Sequence, residues 1–432
     1  MKILIVISFL LLSALASNEI CNIDEHGIEV CQDSNVITRI NNTRRHEFCF
    51  LYLENNTTIG SNVFKDSNIS ELSLILPEYH SPSMLSLQPD VFVGLENLTT
   101  LQITDGNISY TGNPWSELKN LRSFSCIRCG FTEVPIEILA SLPNLEKLVL
   151  AGNDIHRVRR SDFANMKNLT SLSLERNGEM DLGTGCFSGA NNLRYLDLSH
   201  NSFHLAPGAF DGLTELLILD MFEVLNSDLH QPKAFQGMPA LTRLQLSDGH
   251  LESLNPGMFD GLVALHSLRL NNNKLRHIPK GVFNKLSSLD DLSFTENNIT
   301  TIEPGAFSEL DLERLDLSGN VGLQVIETGT FDGLSTGYLG LHFCNISELR
   351  PSAFTGLNAQ ALDLGNNQLR VIGAEDFAGL QSRMLILYFN NVSEIASGAF
   401  SNTSVERIII DEELADNPNK SDWGLSESVE IS

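Results

Sequence analysis

Positive charge is what this sequence has least of. Its 28 lysines and arginines face 54 aspartates and glutamates, giving a formal net charge of −26 over 432 residues. So acidic a surface repels phosphate backbones and anionic headgroups, which argues against nucleic acid and anionic membranes and suits a basic protein partner. Long apolar runs are lacking as well. The one such stretch, Ile3 to Leu12, follows Lys2 and precedes Ala14-Leu15-Ala16, with small residues at the two positions that a signal peptidase reads. That is the layout of a secretory signal over residues 1–16, and it is short for a bilayer span. No second stretch of spanning length follows, and the polar, acidic segment from Asp411 to Ser432 is unlike a glycolipid-anchor signal. The expectation is a secreted chain in the extracellular space with no membrane span.

Catalytic signatures are absent too. There is no His-Glu-x-x-His pair, phosphate-binding loop, Gly-x-Ser-x-Gly elbow or EF-hand loop. The histidines are scattered, and no metal or other cofactor is expected. Asp197 and Asp220 form the one paired-carboxylate candidate, on an open, wet surface where a pKa is difficult to shift. The reading is that of a protein that is not an enzyme.

What the sequence has in abundance is asparagine in sequons. Asn-x-Ser/Thr occurs at Asn41, Asn55, Asn56, Asn68, Asn97, Asn107, Asn168, Asn298, Asn345, Asn391, Asn402 and Asn419. Asn55 and Asn56 overlap, so one of that pair, taken as Asn56, is expected to carry a glycan with the other ten.

The chain also repeats itself. Leu145-x-x-Leu148-x-Leu150-x-x-Asn153-x-Ile155 returns as Leu193-x-x-Leu196-x-Leu198-x-x-Asn201-x-Phe203 and as Leu265-x-x-Leu268-x-Leu270-x-x-Asn273-x-Leu275. The asparagine slot recurs at 106, 129, 153, 177, 201, 224, 249, 273, 297, 320, 344, 367 and 390, every 23 to 25 residues, with two earlier slots read at Asn56 and Pro77. That makes about 15 units of about 24 residues over 48–404, followed by a last strand, Val405-x-x-Ile408-x-Ile410. Leu-x-Leu has period 2, so both leucines face one side of a short strand. Stacked units share one core that no unit could bury alone. The slot asparagine offers two donors and an acceptor to backbone groups that an inward turn would strand. Cys129 and Cys344 replace it in two units, and Gly106, Gly249, Pro77 and Val224 cannot make its bonds. Around Pro77, where the next interval stretches to 29, Glu78 to Ser86 reads as a protruding loop. A phenylalanine in Gly/Pro-rich context closes each later unit, from Phe210 through Phe235, Phe259, Phe283, Phe307, Phe331, Phe354 and Phe377 to Phe400, and should stack into a spine.

This pattern resembles the extracellular "typical" subclass of the leucine-rich-repeat superfamily, found in Toll-like receptor ectodomains, Slit-like proteins and the regulatory subunit of plasma carboxypeptidase N. The resemblance covers nearly all of the chain beyond residue 16. It implies an α/β solenoid: a horseshoe with a parallel β-sheet on the concave face and mostly irregular or short helical convex segments. It also implies a cysteine-bearing N-terminal cap over 17–47, with Cys21–Cys31 the preferred disulfide although Cys49 leaves other pairings open. Cys126 and Cys129 both fall on inward slots, as buried small residues or as a bonded pair, and away from the helix start where a redox CxxC pair sits. The relatives' C-terminal cysteine cap is missing, because no cysteine follows Cys344. The stretch 405–432 reads as a final strand, a degenerate cap and an acidic tail that lies over the last turn or is disordered.

Outward strand positions are free to serve binding. Two regions stand out from a background of serines. The last units present Tyr338, His342, Phe343, Met384, Ile386, Tyr388 and Phe389, a candidate hot spot or a surface packed under the tail. The middle units present Tyr195, Asp197, Asp220, Phe222 and Arg243, with the two aspartates in one column, ready for a basic side chain or balanced by Arg243. Asn107, Asn298, Asn345 and Asn391 directly follow the slot, so their glycans would line one rim. These features imply a secreted, protein-binding recognition or adhesion module whose extracellular ligand sits on the concave or lateral face. Two other readings stand beside it. One is a non-catalytic carrier or stabilising subunit of a secreted enzyme. The other is an extracellular-matrix component that forms a homodimer through its last turn.

Overall fold

The computed structural model describes residues 19–23, 28–65, 67–77, 83–225, 229, 231, 233–416 and 418–432, apart from 43–46. Residues 1–16, expected to be a secretory signal, lie outside them. The chain divides into two compact units, Met1–Leu213 and Thr214–Ser432.

In the first unit, Leu-x-Leu segments build a parallel sheet, one strand per repeat. Phe48–Tyr52 pairs with Glu71–Ile75, which pairs with Thr100–Thr104 and then Ser123–Ile127, Lys147–Val149, Ser171–Ser173 and Tyr195–Asp197. Registers are leucine on leucine, so Leu148, Leu172 and Leu196 align in one buried row. The reason is the period: one face of each strand is apolar, and a slip of one residue would turn it to water. Short strands on the opposite side form further parallel ladders, Thr57–Ile59 with Ser83–Leu87 and Gly106–Tyr110, and Arg157–Val158 with Gly178–Leu182 and Asn201–Leu205. Ahead of the repeats, Glu19–Ile23, Ile28–Asp33 and Val36–Asn42 form an antiparallel meander that joins the opposite-side ladder at Thr57–Ile59. Cys21 and Cys31 face each other across it and are joined by a disulfide.

The second unit repeats the scheme from Ile218–Asp220 through Arg243–Gln245, Ser267–Arg269 and Asp291–Ser293. Its later strands are longer: Asp311–Asp316, Ser335–Gly340, Asn358–Asp363 and Gln381–Ile386 each run six residues. The phenylalanine spine forms. Phe163, Phe187 and Phe210 stack at 6.1 and 6.2 Å in the first unit, and Phe235 through Phe400 stack at 5.5 to 6.3 Å in the second. Each buried ring contributes about 1.5–3 kcal/mol from burial alone.

Slot asparagines are buried and fully bonded. Asn177 Nδ2 donates to the carbonyls of Leu150 and Leu174 at 3.0 and 2.8 Å, and its Oδ1 accepts the Ile155 N–H at 3.1 Å. Asn201, Asn273, Asn297, Asn367 and Asn390 repeat this within and between turns. Where cysteine holds the slot the substitutes differ. Cys344 Sγ donates to the Leu317 carbonyl at 3.2 Å, while Cys129 is joined to Cys126 by a disulfide.

Three sequence expectations change here. Asn56 is not a slot: it is exposed, and the register Cys49↔Leu72, Leu51↔Leu74 puts Glu54 opposite Pro77. Leu51-x-Leu53 imitates the leucine pair two positions after the true one, Cys49-x-Leu51, and so points to Asn56. The expected loop from Glu78 to Ser86 narrows. Residues 78–82 lie outside those described, but Ser83–Leu87 is a strand with Ser83, Leu85 and Leu87 buried. The convex segments are mostly irregular, as expected, with turns, short strands and little helix, because their glycines and prolines turn the chain before a helix can nucleate. Finally, the acidic tail is one more turn. Ile408 pairs with Ile431, Phe400 N–H donates to the Trp423 carbonyl at 2.9 Å, and Trp423, Leu425 and Val429 are buried. Among the described residues, no helix is long and apolar enough to cross a membrane.

Burial keeps the Cys186 and Cys344 thiols protonated. It pushes Cys344 up to about 12 and raises Cys186 further. A thiol that ionises near pH 8.5 when unfolded and not when folded favours the folded chain below that pH, and the contribution fades as pH climbs toward 12. Alkylation at pH 8 should therefore leave Cys186 and Cys344 unmodified until denaturant is added. Labelling of either in the native protein would contradict their burial.

Candidate functional site

Outward positions on three adjacent turns of the second unit converge on one polar network. Arg314, Asp316 and Ser318 lie on the first turn, Tyr338, Gly340 and His342 on the next, and Asp363 and Gly365 on the third, in register Arg314↔Tyr338↔Ala361 and Asp316↔Gly340↔Asp363. Gly340 is the reason they meet. A Cβ there would fall 2.7 Å from both Asp316 Oδ1 and Tyr338 Cε1. Without it the Tyr338 ring lies across the sheet, and its hydroxyl donates to Asp363 Oδ2 at 3.0 Å. Arg314 places its guanidinium 4.5 Å from the centre of that ring and donates to Asp316 Oδ2 at 2.5 Å. Burial raises the Tyr338 pKa, and the Asp363 charge and its hydrogen bond push the same way, so the phenol stays a donor.

The two carboxylates differ. Asp316, 7% exposed, has Arg314 as counter-ion. Asp363, 12% exposed, has Tyr338, the Gly365 N–H at 2.9 Å and His342 Nδ1 at 3.5 Å. Ser318 Oγ lies 2.8 Å from the same Nδ1. Serine, histidine and aspartate thus sit together without forming a nucleophilic relay, which needs the hydroxyl and the carboxylate on opposite ring nitrogens.

Next to the network, Met384 and Ile386 are half-buried on the strand Gln381–Ile386. Tyr388 folds against Gly365, where a Cβ would approach Tyr388 Cε1 to 3.1 Å. Phe343 and Phe389 stay exposed at 57% and 66%. From the tail, Asp411 reaches this surface, accepting the Phe389 N–H at 2.6 Å. A depression of about 750 Å³ lies beside Met384, floored by Gly337 and Ala361 and rimmed by Arg383, Glu406, Arg407 and Glu430. A second, of about 620 Å³, is lined by Asp290, Asp311 and Glu313.

The middle residues fall in both units. Tyr195 and Asp197 belong to the first unit, and Asp220, Phe222 and Arg243 to the second. Asp197 is held by Ser173 Oγ at 3.2 Å and by the Ser199 N–H at 3.0 Å, and Asp220 accepts the Phe222 N–H at 3.3 Å. Sequence reading missed Arg314, Asp316, Ser318 and Asp363. A signal was there in Gly340 and Gly365, two glycines at outward strand positions beside aromatic residues. Of the sequons, Asn298, Asn345, Asn391, Asn402, Asn419, Asn56, Asn68, Asn97 and Asn168 are exposed, while Asn41 and Asn107 are half-buried.

The family described as "Leucine rich repeat" matches residues 119–178, 180–223, 230–275, 264–321 and 337–392. The chain belongs to the leucine-rich-repeat family. A second profile, "BspA type Leucine rich repeat region (6 copies)", matches 46–136. This leucine-rich-repeat protein is 29% identical over 189 residues to leucine-rich repeat-containing G-protein coupled receptor 5 of Xenopus tropicalis, covering 43% of this chain and 20% of the receptor. It is 28% identical over 192 residues to the CD180 antigen of Mus musculus, covering 42% of this chain and 28% of that one. Against lumican of Coturnix japonica it is 28% identical over 206 residues, 47% of this chain and 51% of lumican. It therefore spans between a fifth and about half the length of these relatives. Among solved structures, the mouse RP105/MD-1 complex superposes with a TM-score of 0.59 at 21% identity, over 89% of this chain and 66% of that one. That likeness is one of fold.

Proposed function

We propose that this leucine-rich-repeat protein is a secreted, non-catalytic binding module that holds a basic segment of an extracellular protein on the concave face of its second unit. The observation that carries the reading is Asp363: a nearly buried carboxylate that lacks an arginine or lysine among its described partners, lies beside aromatic rings, and ends the strand Asn358–Asp363 whose Gln360 lines both depressions. A partner's arginine or lysine would complete it, Tyr338, Met384, Ile386 and Tyr388 would supply apolar contact, and the acidic rim at Asp290, Asp311 and Glu313 would steer the approach. The RP105/MD-1 complex supports a partner of some kind, as the relative was solved with one bound. Glycans on the sequons would leave this face open.

The test is affinity purification of the tagged protein from its native fluid, beside a Met384→Ala/Tyr388→Ala variant. One partner in stoichiometric amount, weakened about tenfold or more in the variant, is expected. Added salt should weaken it further. An unaltered partner in the variant would move the site elsewhere, and a stoichiometric enzyme as the captured partner would make the module its carrier.

A further inference from the structure

The corner after each concave strand is left-handed, and in most turns it holds a residue that tolerates such a backbone or points a polar group to water, such as Asp248, Asn272, Glu296 and Asn366. Two turns hold phenylalanine instead. Phe343 has φ 55° and Phe389 φ 58°. A bulky side chain is strained there, and at 57% and 66% exposure neither ring offsets the strain by burial. Each touches one neighbour edge-on, His342 at 5.5 Å and Tyr388 at 5.0 Å, which leaves ring faces open to solvent.

Both phenylalanines stand two residues before a sequon asparagine: Phe343-Cys344-Asn345-Ile346-Ser347 and Phe389-Asn390-Asn391-Val392-Ser393. Asn345 and Asn391 are themselves exposed and left-handed, at φ 61° and 54°. The same three-residue corner therefore occurs twice, with the Cα atoms of phenylalanine and asparagine at most about 7 Å apart. The corner is rigid: at the first, Asn367 Oδ1 accepts the N–H groups of Cys344 and Ile346, on either side of Asn345.

We infer that Phe343 and Phe389 are stacking platforms for the first N-acetylglucosamine of N-glycans on Asn345 and Asn391. A pyranose presents one face of C–H bonds, apolar and weakly positive, which matches the negative face of an aromatic ring. The covalent link two residues away holds the sugar beside the ring at high effective concentration. The attachment is ordinary secretory chemistry: the Asn Nδ2–C1 bond forms, the C1–O bond to a lipid-diphosphate oligosaccharide breaks, and the amide proton leaves with the released diphosphate. This inference rests on the secretory reading above. It takes the two rings away from the partner surface and gives them to the protein's own sugars. Asn298 is the internal comparison: Glu296 holds the platform position at φ 56°, and Asn298 itself is not left-handed.

The test is a double-mutant cycle on the full chain, produced in glycosylating secretory cells. Glycopeptide mass spectrometry should find Asn345 and Asn391 occupied. N345Q/N391Q should lower the Tm by about 2 °C or more. The same removal in an F343A/F389A background should change it by under about 1 °C. Trimming the wild type to its first sugar with an endoglycosidase should leave the Tm in place, and N298Q should have no comparable effect. An equal Tm loss with and without the phenylalanines overturns the inference. So does a secreted protein with other sequons occupied but these two bare, or loss of the captured partner in F343A/F389A. Failure to enter the secretory pathway, with every sequon bare, would instead remove the secretory reading and this inference with it.

Discussion

Replacing Asn320 by alanine is expected to cost the second unit about 4 kcal/mol, because it strands three buried backbone groups at about 1–3 kcal/mol each. Asn320 is fully buried; its Nδ2 donates to Phe294 and Leu317 carbonyls at 3.0 and 2.7 Å, and its Oδ1 accepts the Ile299 N–H at 3.0 Å. No water reaches these groups to replace the bonds. Two comparisons calibrate the effect. Asn320→Cys should be milder, since Cys344 shows that a thiol in this slot can donate to the Leu317 carbonyl. Asn56→Ala should change stability by under about 0.5 kcal/mol, because Asn56 is exposed. Hydrogen exchange suits a stacked protein better than a global melt, since neighbouring turns open separately. Protection should fall in the turns around Ile299 and Leu317 and hold in those around Leu148 and Leu172. Equal effects at Asn320 and Asn56 would refute the ladder as a source of stability.

Phe307→Ala should cost about 3–5 kcal/mol, the range for removing a buried aromatic side chain. Phe307 stacks on Phe283 at 6.0 Å and on Phe331 at 6.2 Å, and tilts against Phe294 at 6.4 Å. Its loss opens a gap that flanking rings, each held by its own turn, cannot fill. Phe307→Leu should recover more than half of the loss by refilling volume without the stack. Urea unfolding followed by hydrogen exchange would read both values, and a cost under about 1 kcal/mol would mean that the column is filled by rearrangement.

These effects trace to positions that the sequence marks by repetition. The leucine pairs, the slot and the phenylalanine column each recur at a fixed offset because a shared core imposes the same demand on every turn. Asn56 shows where this fails: in the first repeat Cys49 stands in place of a leucine, and Leu51-x-Leu53 offers a competing pair two positions late. The tail shows a second failure. Ile431 falls one repeat after Ile408, but with acidic and serine neighbours and Trp423 in place of the spine phenylalanine the turn carries too little of the pattern to be recognised.

The sequence by itself determined the repeat, its inward face, the parallel strand order and the polar bonds that close each turn, because these follow from periods of 2 and about 24 and from what a buried backbone requires. Only the tertiary structure decided which outward side chains meet. Outward positions answer to no shared core, so no period marks them. Arg314, Asp316, Tyr338, His342 and Asp363 become neighbours through the register of three turns and through the missing Cβ of Gly340, which lets one ring lie across a sheet that would otherwise hold it upright.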